Sequence, residues 1–253
     1  MTIRVLVWGE NHHEKHDEAT QRIYPDSVHG TIAAGLRAHL GDAVEVNTAT
    51  LDEAEHGLTE ERLAQTDVLF WWGHAKHDDV AAEVVDRVQR HVLGGMGLVV
   101  LHSAHFSRIF IRLMGTTCSL RWRASNDREV VWTVAPAHPI AEGVPQPIVL
   151  AAQEMYGEQF DVPVPDELVF ISNFSSGEVF RSGMTYTRGS GRIFYFSPGD
   201  QGYPVYHDPG IQRVLANAAR WAHQDRVRRL PRLEMFSDGE LFLPGRRTPR
   251  ADA

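Results

Sequence analysis

Imidazole, carboxylate and hydroxyl side chains follow three largely apolar segments of this chain. The segments span residues 3–8, 68–72 and 97–101, and their apolar character predicts buried strands. The polar residues that follow them are Glu10, His13, His74, His77, His102, Ser103 and His105. In an open parallel α/β sheet the carboxyl ends of the strands meet at one edge, where ligands bind. The sequence therefore predicts that these groups share one site.

Metal binding is the first chemistry that these residue types predict. The single cysteine, Cys118, excludes an internal disulfide and a thiolate zinc cluster, so a metal ion would need nitrogen and oxygen ligands. Zinc is the first expectation, and manganese, cobalt and nickel accept the same donors. The ligands we predict are His13, His74, His105 and His207. The His-x-x-His spacings at 74–77 and 102–105 are no specific signature, and the alternative is that these histidines cap helices or hydrogen-bond to loops.

Proton transfer is the second chemistry, because His and Glu side chains tuned near neutral pH move protons at carbon or oxygen. The catalytic groups we predict are Glu10, His102, Ser103 and Glu158. Glu10 is expected to contact Ser103 or His102, and a structural carboxylate that holds its loop is the alternative. Ser103 lacks the Gly-x-Ser-x-Gly elbow of a serine nucleophile, so a helix-capping hydroxyl is favoured for it.

Aromatic residues around the same segments predict sugar binding. Their faces fit the C–H face of a pyranose ring, and polar edges bind its hydroxyl groups. The substrate-binding residues we predict are Trp8, Trp72, Tyr156, Arg181, Tyr203 and Tyr206. For Trp71 and Trp72, strand alternation favours a core position for one of the two.

The composition sets the class of the protein. The chain has 253 residues, of which 43% are hydrophobic, and this fits one globular domain with a sizeable core. A net charge of −8 argues against nucleic acid as a partner, because phosphate binding needs a basic face. The sequence has no secretory leader and no apolar run of about 20 residues, so we expect a cytoplasmic protein with no membrane partner. We predict a single domain over residues 1–225 and a loosely ordered tail over 226–253.

Periodicity in the first half of the chain predicts alternating strands and helices. Apolar residues four apart mark one face of a helix over residues 28–40, which Gly41 is expected to end. From about residue 116 the segments become shorter, and they indicate further strands and a hairpin whose turn is formed by residues 188–191. A final helix is predicted over 209–223. The pattern predicts an α/β fold with a mostly parallel central sheet, flanked by helices, and added antiparallel strands in the C-terminal half.

A set of short motifs extends from residue 3 to about residue 223. They are Trp8-Gly9-Glu10-Asn11-His12-His13-Glu14-Lys15, Tyr24-Pro25-Asp26-Ser27-Val28-His29, Thr48-Ala49-Thr50-Leu51-Asp52, Trp71-Trp72-Gly73-His74, Leu101-His102-Ser103-Ala104-His105, Met114-Gly115-Thr116, Glu154-Met155-Tyr156-Gly157-Glu158, Phe180-Arg181-Ser182-Gly183, and Pro198-Gly199 through Tyr203-Pro204-Val205-Tyr206-His207. Together they resemble the ThuA-like (trehalose utilisation) family. The resemblance implies a class I glutamine amidotransferase-like, flavodoxin-like α/β sandwich. It also implies a role in disaccharide metabolism, beside a dehydrogenase that oxidises glycosides to 3-keto sugars.

Two positions depart from what this resemblance implies. Amidotransferases of this fold place a cysteine nucleophile where the fourth strand turns into its helix, and this chain has His102 and Ser103 there. Cys118 lies well past that turn, so glutaminase chemistry through a thiolate is not expected. Asp200 stands where a histidine is expected in relatives, and it still offers an oxygen donor.

Together these features predict a carbohydrate-transforming enzyme of trehalose or related disaccharide breakdown. We expect metal-assisted His/Glu proton transfer on a keto-sugar, of isomerase or lyase type, with a divalent transition metal as cofactor. The alternatives are a non-enzymatic sugar-binding or regulatory module on an amidotransferase-like scaffold, and a metal-dependent glycoside hydrolase. The expected partners are a small-molecule carbohydrate, a functionally associated sugar dehydrogenase and, from the aromatic and glycine-rich second half, a second copy in a homo-oligomer.

Overall fold

A computed structural model describes residues 2–224 of the chain. The strands are β1 (Ile3–Gly9), β2 (Val44–Thr50), β3 (Val68–Trp72), β4 (Gly97–Leu101), β5 (Arg121–Thr133), β6 (Ile148–Gly157), β7 (Glu167–Phe174), β8 (Val179–Arg188) and β9 (Gly191–Phe196). Within the described residues they form one sheet in the order β2-β1-β3-β4-β9-β8-β7-β5-β6. The tail predicted over 226–253 lies outside the described residues.

The sheet is mixed, with a parallel half and an antiparallel half. Strands β2, β1, β3, β4 and β9 pair in parallel. Strands β9, β8, β7, β5 and β6 pair antiparallel, so the two kinds of pairing are equally numerous in the described part of the chain. The predicted α/β fold with antiparallel strands added in the C-terminal half is confirmed, and the parallel character belongs to the N-terminal half and β9.

The strands of the parallel half end level with one another. Gly9 lies opposite Trp72, and Trp72 lies opposite Leu101. Leu101 in turn lies opposite Phe196, the last residue of β9. The loops that follow these four strands therefore leave the sheet at the same edge, as expected for parallel strands in register.

Helices cover both faces of the sheet. They are α1 (His13–His16), α2 (Glu18–Ile23), α3 (Val28–Leu40), α4 (Glu60–Ala64), α5 (Ala82–Leu93), α6 (Arg108–Met114) and α7 (Pro209–Ala222). One apolar core lies under α3 and α7, and the other lies under α5 and α6. The predicted helix α3 is confirmed, and Gly41, with a φ of 53°, follows its last residue. In residues 2–224 no helix is long and apolar enough to cross a membrane.

Burial on both faces places Trp8, Trp71 and Trp72 in the two cores, each at most 1% exposed. The Trp8 indole donates a hydrogen bond to the His56 carbonyl at 3.0 Å, and the Trp72 indole donates to the Gly199 carbonyl at 3.1 Å. Strand alternation predicted that one of Trp71 and Trp72 lies in the core. Both are buried, because helices cover both faces of the sheet. The structure places Trp8 and Trp72, which the sequence predicts as sugar ligands, in the cores.

The antiparallel half contains the predicted hairpin and a longer strand than expected. Strands β8 and β9 are joined at Gly189 and Ser190, inside the predicted turn. A Cβ added at Gly191 would lie 2.1 Å from the Val92 carbonyl oxygen, so only glycine fits where the hairpin passes α5. Strand β5 begins at Arg121, well before the apolar run of residues 130–134, which is where the sequence predicts a strand. Residues 121–127 of β5 pair with β6 alone, because pairing with β7 starts at Glu129.

Candidate functional site

Glu10 leaves the end of β1 and is buried, with 1% of its surface exposed. Its carboxylate accepts backbone N–H hydrogen bonds from His74 at 2.8 Å, Ala75 at 3.0 Å and Lys76 at 2.9 Å. Burial raises the pKa of Glu10, but the hydrogen bond with His13 and these three backbone bonds prevail and lower it to about 2. Glu10 therefore holds the loop after β3. Within residues 2–224, the hydrogen bonds of Glu10 do not include the expected contact with Ser103 or His102. The geometry agrees with the alternative, a structural carboxylate that holds its loop.

His102 directly follows the last residue of β4, and both of its ring nitrogens contact polar groups. Its Nδ1 donates to the Ser197 carbonyl at 2.8 Å. Its Nε2 lies 3.2 Å from Glu154 Oε2 and 3.5 Å from Asp200 Oδ2. Burial lowers the pKa of His102, but the hydrogen bonds with Asp200 and Glu154 prevail and raise it to about 10. Its φ of 50° is rare outside glycine and shows that the turn is held tightly by its surroundings.

His74 approaches the same carboxylates from the loop after β3. Its Nδ1 lies 3.8 Å from Asp200 Oδ2 and contacts the Gln201 side-chain oxygen. His74, Glu154 and Asp200 offer ligand atoms that all lie within 4.8 Å of one another. Burial and the charge on His102 lower the pKa of His74. In the described residues this is the one group of such side chains close enough together to be a candidate metal site, and it includes His74, one of the predicted ligands.

A small cavity of about 160 Å³ opens beside this cluster. Its walls are formed by His74, Ser103, His105, Phe106, Trp122, Glu154 and Tyr156. The Ser103 hydroxyl lies 2.9 Å from the Tyr156 hydroxyl, which in turn lies 3.3 Å from His102 Nε2. The expectation that Ser103 caps a helix is wrong, because Ser107 caps α6 by accepting the Phe110 N–H. The predicted residues His102, Ser103 and Tyr156 thus form one connected set at the cavity.

His105 contributes to the cavity in a defined tautomer. Its Nδ1 donates to the Cys118 carbonyl at 2.7 Å, so the neutral ring carries its lone pair on Nε2. Burial lowers the pKa of His105 to about 3, and the ring is neutral at pH 7. The Cys118 thiol is itself buried, and burial raises its pKa to about 11. The only cysteine of the chain is therefore a poor nucleophile at neutral pH.

The other predicted ligand histidines have different partners. His13 Nδ1 lies 3.5 Å from Glu10 Oε1, and its ring stacks on that of His74 with centroids 5.1 Å apart. His207 is exposed, and its Nε2 donates to the Ile23 carbonyl at 2.8 Å. His13 therefore supports the loop after β3 through Glu10 and His74. His207 lies apart from the cluster of His74, Glu154 and Asp200, because the His207 ring stacks on Tyr24.

Four further predicted residues also lie outside the cavity wall. Glu158 and Arg181 form a bidentate ion pair, with distances of 2.8 and 3.0 Å, that joins the end of β6 to β8. Tyr206 is fully buried. Tyr203 donates its hydroxyl to Asn126 at 2.8 Å. The catalytic prediction for Glu158 and the substrate-binding predictions for the other three are therefore not supported by their positions.

A sequence model of the ThuA family, described as trehalose utilisation, matches residues 4–222. The chain belongs to the ThuA family. Among curated protein sequences, none matches it.

Solved structures share the fold of this ThuA chain at low sequence identity. A ThuA-like protein from Parabacteroides merdae has a TM-score of 0.64 and 15% identity, over 91% of this chain and 93% of that one. A ThuA-like protein from Bacteroides uniformis has a TM-score of 0.60 and 18% identity, over 87% and 91%. PurLQS from Thermotoga maritima has a TM-score of 0.50 and 12% identity, over 87% and 99%. These likenesses confirm the predicted fold class and concern the fold alone.

The sequence did not predict the roles of three residues at the ThuA site. Neither Glu154 nor Asp200 is among the predicted metal ligands or catalytic groups, yet both face His102 in the buried cluster. Trp122 was not considered, although it lines the cavity and is 61% exposed. Strand alternation carried a signal for Glu154, because it lies two residues before Tyr156 and so shares its face of β6. Nothing local in the sequence distinguishes Asp200 or Trp122.

Proposed function

We propose that this ThuA chain is an enzyme that moves a proton on a keto-sugar during the breakdown of trehalose or a related disaccharide. The observation that carries the proposal is the buried cluster of His74, His102, Glu154 and Asp200 beside the cavity. A protein that only binds sugar needs aromatic and hydroxyl groups. Burial of His102, Glu154 and Asp200 is costly, and clusters of buried ionisable groups are typical of catalytic sites.

The proposal includes a divalent transition metal ion, for which zinc is our first choice. The ion would be held by His74, Glu154 and Asp200. His102 Nε2 lies 3.2 and 3.5 Å from the two carboxylates, so His102 would hold and orient both of them beside such an ion. Such an ion would polarise the carbonyl group of the sugar.

His105 is the proton acceptor in this proposal. Its Nε2 carries the lone pair, and its ring lines the cavity. Negative charge that develops on the sugar oxygen during proton removal favours the protonated ring, and so opposes the burial that lowers its pKa in the empty cavity. The hydroxyl groups of Ser103 and Tyr156 bind and orient the hydroxyl groups of the sugar.

The chemistry fits a ketone next to a carbon that carries hydrogen. Removal of that proton moves the electron pair of the C–H bond onto the carbonyl oxygen. Return of the proton to carbon gives an isomer. Alternatively, the glycosidic oxygen leaves with the electron pair of its bond and takes the proton from His105, which cleaves the glycosidic bond and leaves a carbon–carbon double bond. Both outcomes need the same base and the same positive charge at the carbonyl. The ketone would come from a sugar dehydrogenase in the cytoplasm, which is the partner and compartment we propose.

Proton exchange in D₂O tests this function without knowledge of the product. The protein is incubated with 3-keto-trehalose, and incorporation of deuterium next to the carbonyl is followed by NMR. We expect enzyme-dependent exchange that His105→Asn reduces at least tenfold and that His207→Asn, an exposed histidine outside the cavity, leaves unchanged. Hydrolysis of native trehalose without exchange would indicate a glycoside hydrolase, and sugar binding without exchange would indicate a binding module; either result would overturn the proposal.

A further inference from the structure

Trp122 differs from the other tryptophans near the site because its ring is in solvent. It is 61% exposed, whereas Trp8, Trp71 and Trp72 are buried. Within residues 2–224 no hydrogen-bond partner is found for its indole N–H, whereas the exposed Trp132 donates to Asn173 at 2.8 Å. The ring face and the N–H group of this indole are therefore both open to a ligand.

The position of Trp122 is set by the sheet. Trp122 lies directly opposite Tyr156 in the antiparallel β5–β6 pair, so the two side chains are on the same face. Tyr156 is buried at the cavity, and Trp122 forms part of the cavity wall nearer to solvent. Trp122 thus continues the wall outward from the hydroxyl groups that we assign to the substrate.

The strand segment that carries Trp122 is braced. Arg123, the next residue, forms an ion pair with Glu178 of the β7–β8 turn at 3.0 Å. Asn126 accepts the hydroxyl of Tyr203 at 2.8 Å. These contacts anchor residues 121–126, of which 121–123 pair with β6 alone, so the strand segment that carries the indole is held in place before any ligand arrives.

The size of the cavity limits what can enter it. At about 160 Å³ it is smaller than the range of about 300–1,000 Å³ that is typical of pockets for drug-sized ligands. It has room for one sugar ring. A second ring that is joined to the first must lie outside, where Trp122 is exposed.

We propose that Trp122 forms a second sugar subsite at the mouth of the cavity. The reacting ring lies inside, beside Ser103 and Glu154, and the second pyranose ring of a disaccharide stacks its C–H face on the indole of Trp122. The site therefore prefers disaccharides to single sugars. This inference rests on the proposed function, because it assumes that the ligand is a sugar.

Isothermal titration and exchange kinetics with two ligands test the subsite. The ligands are 3-keto-trehalose and the 3-keto form of methyl glucoside, which has a single ring. Trp122→Ala is expected to raise Kd and KM for the disaccharide about tenfold with little change in kcat, and to leave the single-ring ligand unaffected. Trp122→Phe is expected to retain most of the disaccharide affinity. Trp132→Ala, which removes an exposed tryptophan from the far end of the same strand, is expected to change neither ligand.

The outcomes separate the subsite from the function. An unchanged disaccharide affinity in Trp122→Ala, or an equal loss for both ligands, would overturn the subsite while exchange activity leaves the proposed function intact. Failure of the unmodified protein to bind or exchange either sugar would overturn the proposed function and the subsite with it. Circular dichroism of each variant shows whether a loss comes from misfolding, and the Phe variant then provides the same comparison in a folded protein.

Discussion

Glu129 of β5 provides a quantitative test of the electrostatics inside the antiparallel half. The side chain is 1% exposed, and its Oε1 accepts the Ser172 hydroxyl at 2.6 Å. In the described part of the chain its Oε2 has no hydrogen-bond partner. Burial raises the pKa of Glu129 from 4.5 to about 7, although the hydrogen bond with Ser172 lowers it. Glu129→Gln is the matched perturbation, because an amide keeps the shape and the oxygen acceptor and cannot ionise.

The magnitude follows from the difference between the two pKa values. A group whose pKa is higher in the folded chain contributes stability that is present below its unfolded pKa and is lost as the pH rises through its folded pKa. At about 1.4 kcal/mol for each pKa unit, the rise from 4.5 to about 7 corresponds to about 3 kcal/mol. The wild-type protein therefore loses about 3 kcal/mol of unfolding free energy at this group between pH 4.5 and pH 7, and Glu129→Gln does not.

Urea unfolding at pH 4.5 and pH 8, followed by tryptophan fluorescence, measures this difference. Relative to wild type, the free energy of unfolding of Glu129→Gln should be about 3 kcal/mol larger at pH 8 than at pH 4.5, so that the variant is the more stabilised of the two at high pH. Glu83→Gln, at an exposed position of α5, is the control and should show no such pH dependence. A Glu129→Gln effect that is equal at the two pH values would refute the argument, because the carboxyl would then have the same pKa in both states.

Three further predictions concern the loop, the thiol and the core. Glu10→Gln leaves one acceptor oxygen for the three N–H groups of residues 74–76, so unfolding free energy should fall by about 2 kcal/mol in urea titrations; unchanged stability would contradict the anchoring role. Native Cys118 should react with an aromatic disulfide reagent at pH 8 only after unfolding, because the thiol is buried with a pKa of about 11; rapid native labelling would be inconsistent with this. Gly97→Ala places a Cβ 2.7 Å from the Ala222 carbonyl oxygen and should destabilise the fold by about 1–3 kcal/mol, seen as a lower Tm; a neutral substitution would show that α7 moves freely.

The fold was predictable from the sequence where its elements repeat a local pattern. The apolar runs that became β3 and β4 and the stripe that became α3 are confirmed. Trp8 and Trp72 were predicted as sugar-binding residues and are buried instead, because the local pattern does not show that helices cover both faces of the sheet. Residues 121–126 of β5 were missed because they are exposed and mostly polar, so they lack the alternation of a half-buried strand.

The site was predictable only in part, because local sequence places groups at an edge and does not pair them. Strand register brought His74 and His102 together, as predicted from the parallel sheet. Their carboxylate partners, Glu154 and Asp200, come from the second half of the chain and meet them only through tertiary contacts. Glu10 was expected at the catalytic centre, and its carboxylate is instead occupied by backbone N–H groups that no residue pattern reveals.

Metal analysis of the purified full-length protein by inductively coupled plasma mass spectrometry tests the central claim most directly. After dialysis without chelator, and after reloading with zinc, we expect close to one equivalent of a divalent transition metal per chain. That metal should be lost in His74→Ala and Asp200→Asn and retained in His207→Ala. Absence of metal after reloading, or retention of metal in the first two variants, would contradict the proposed metal site.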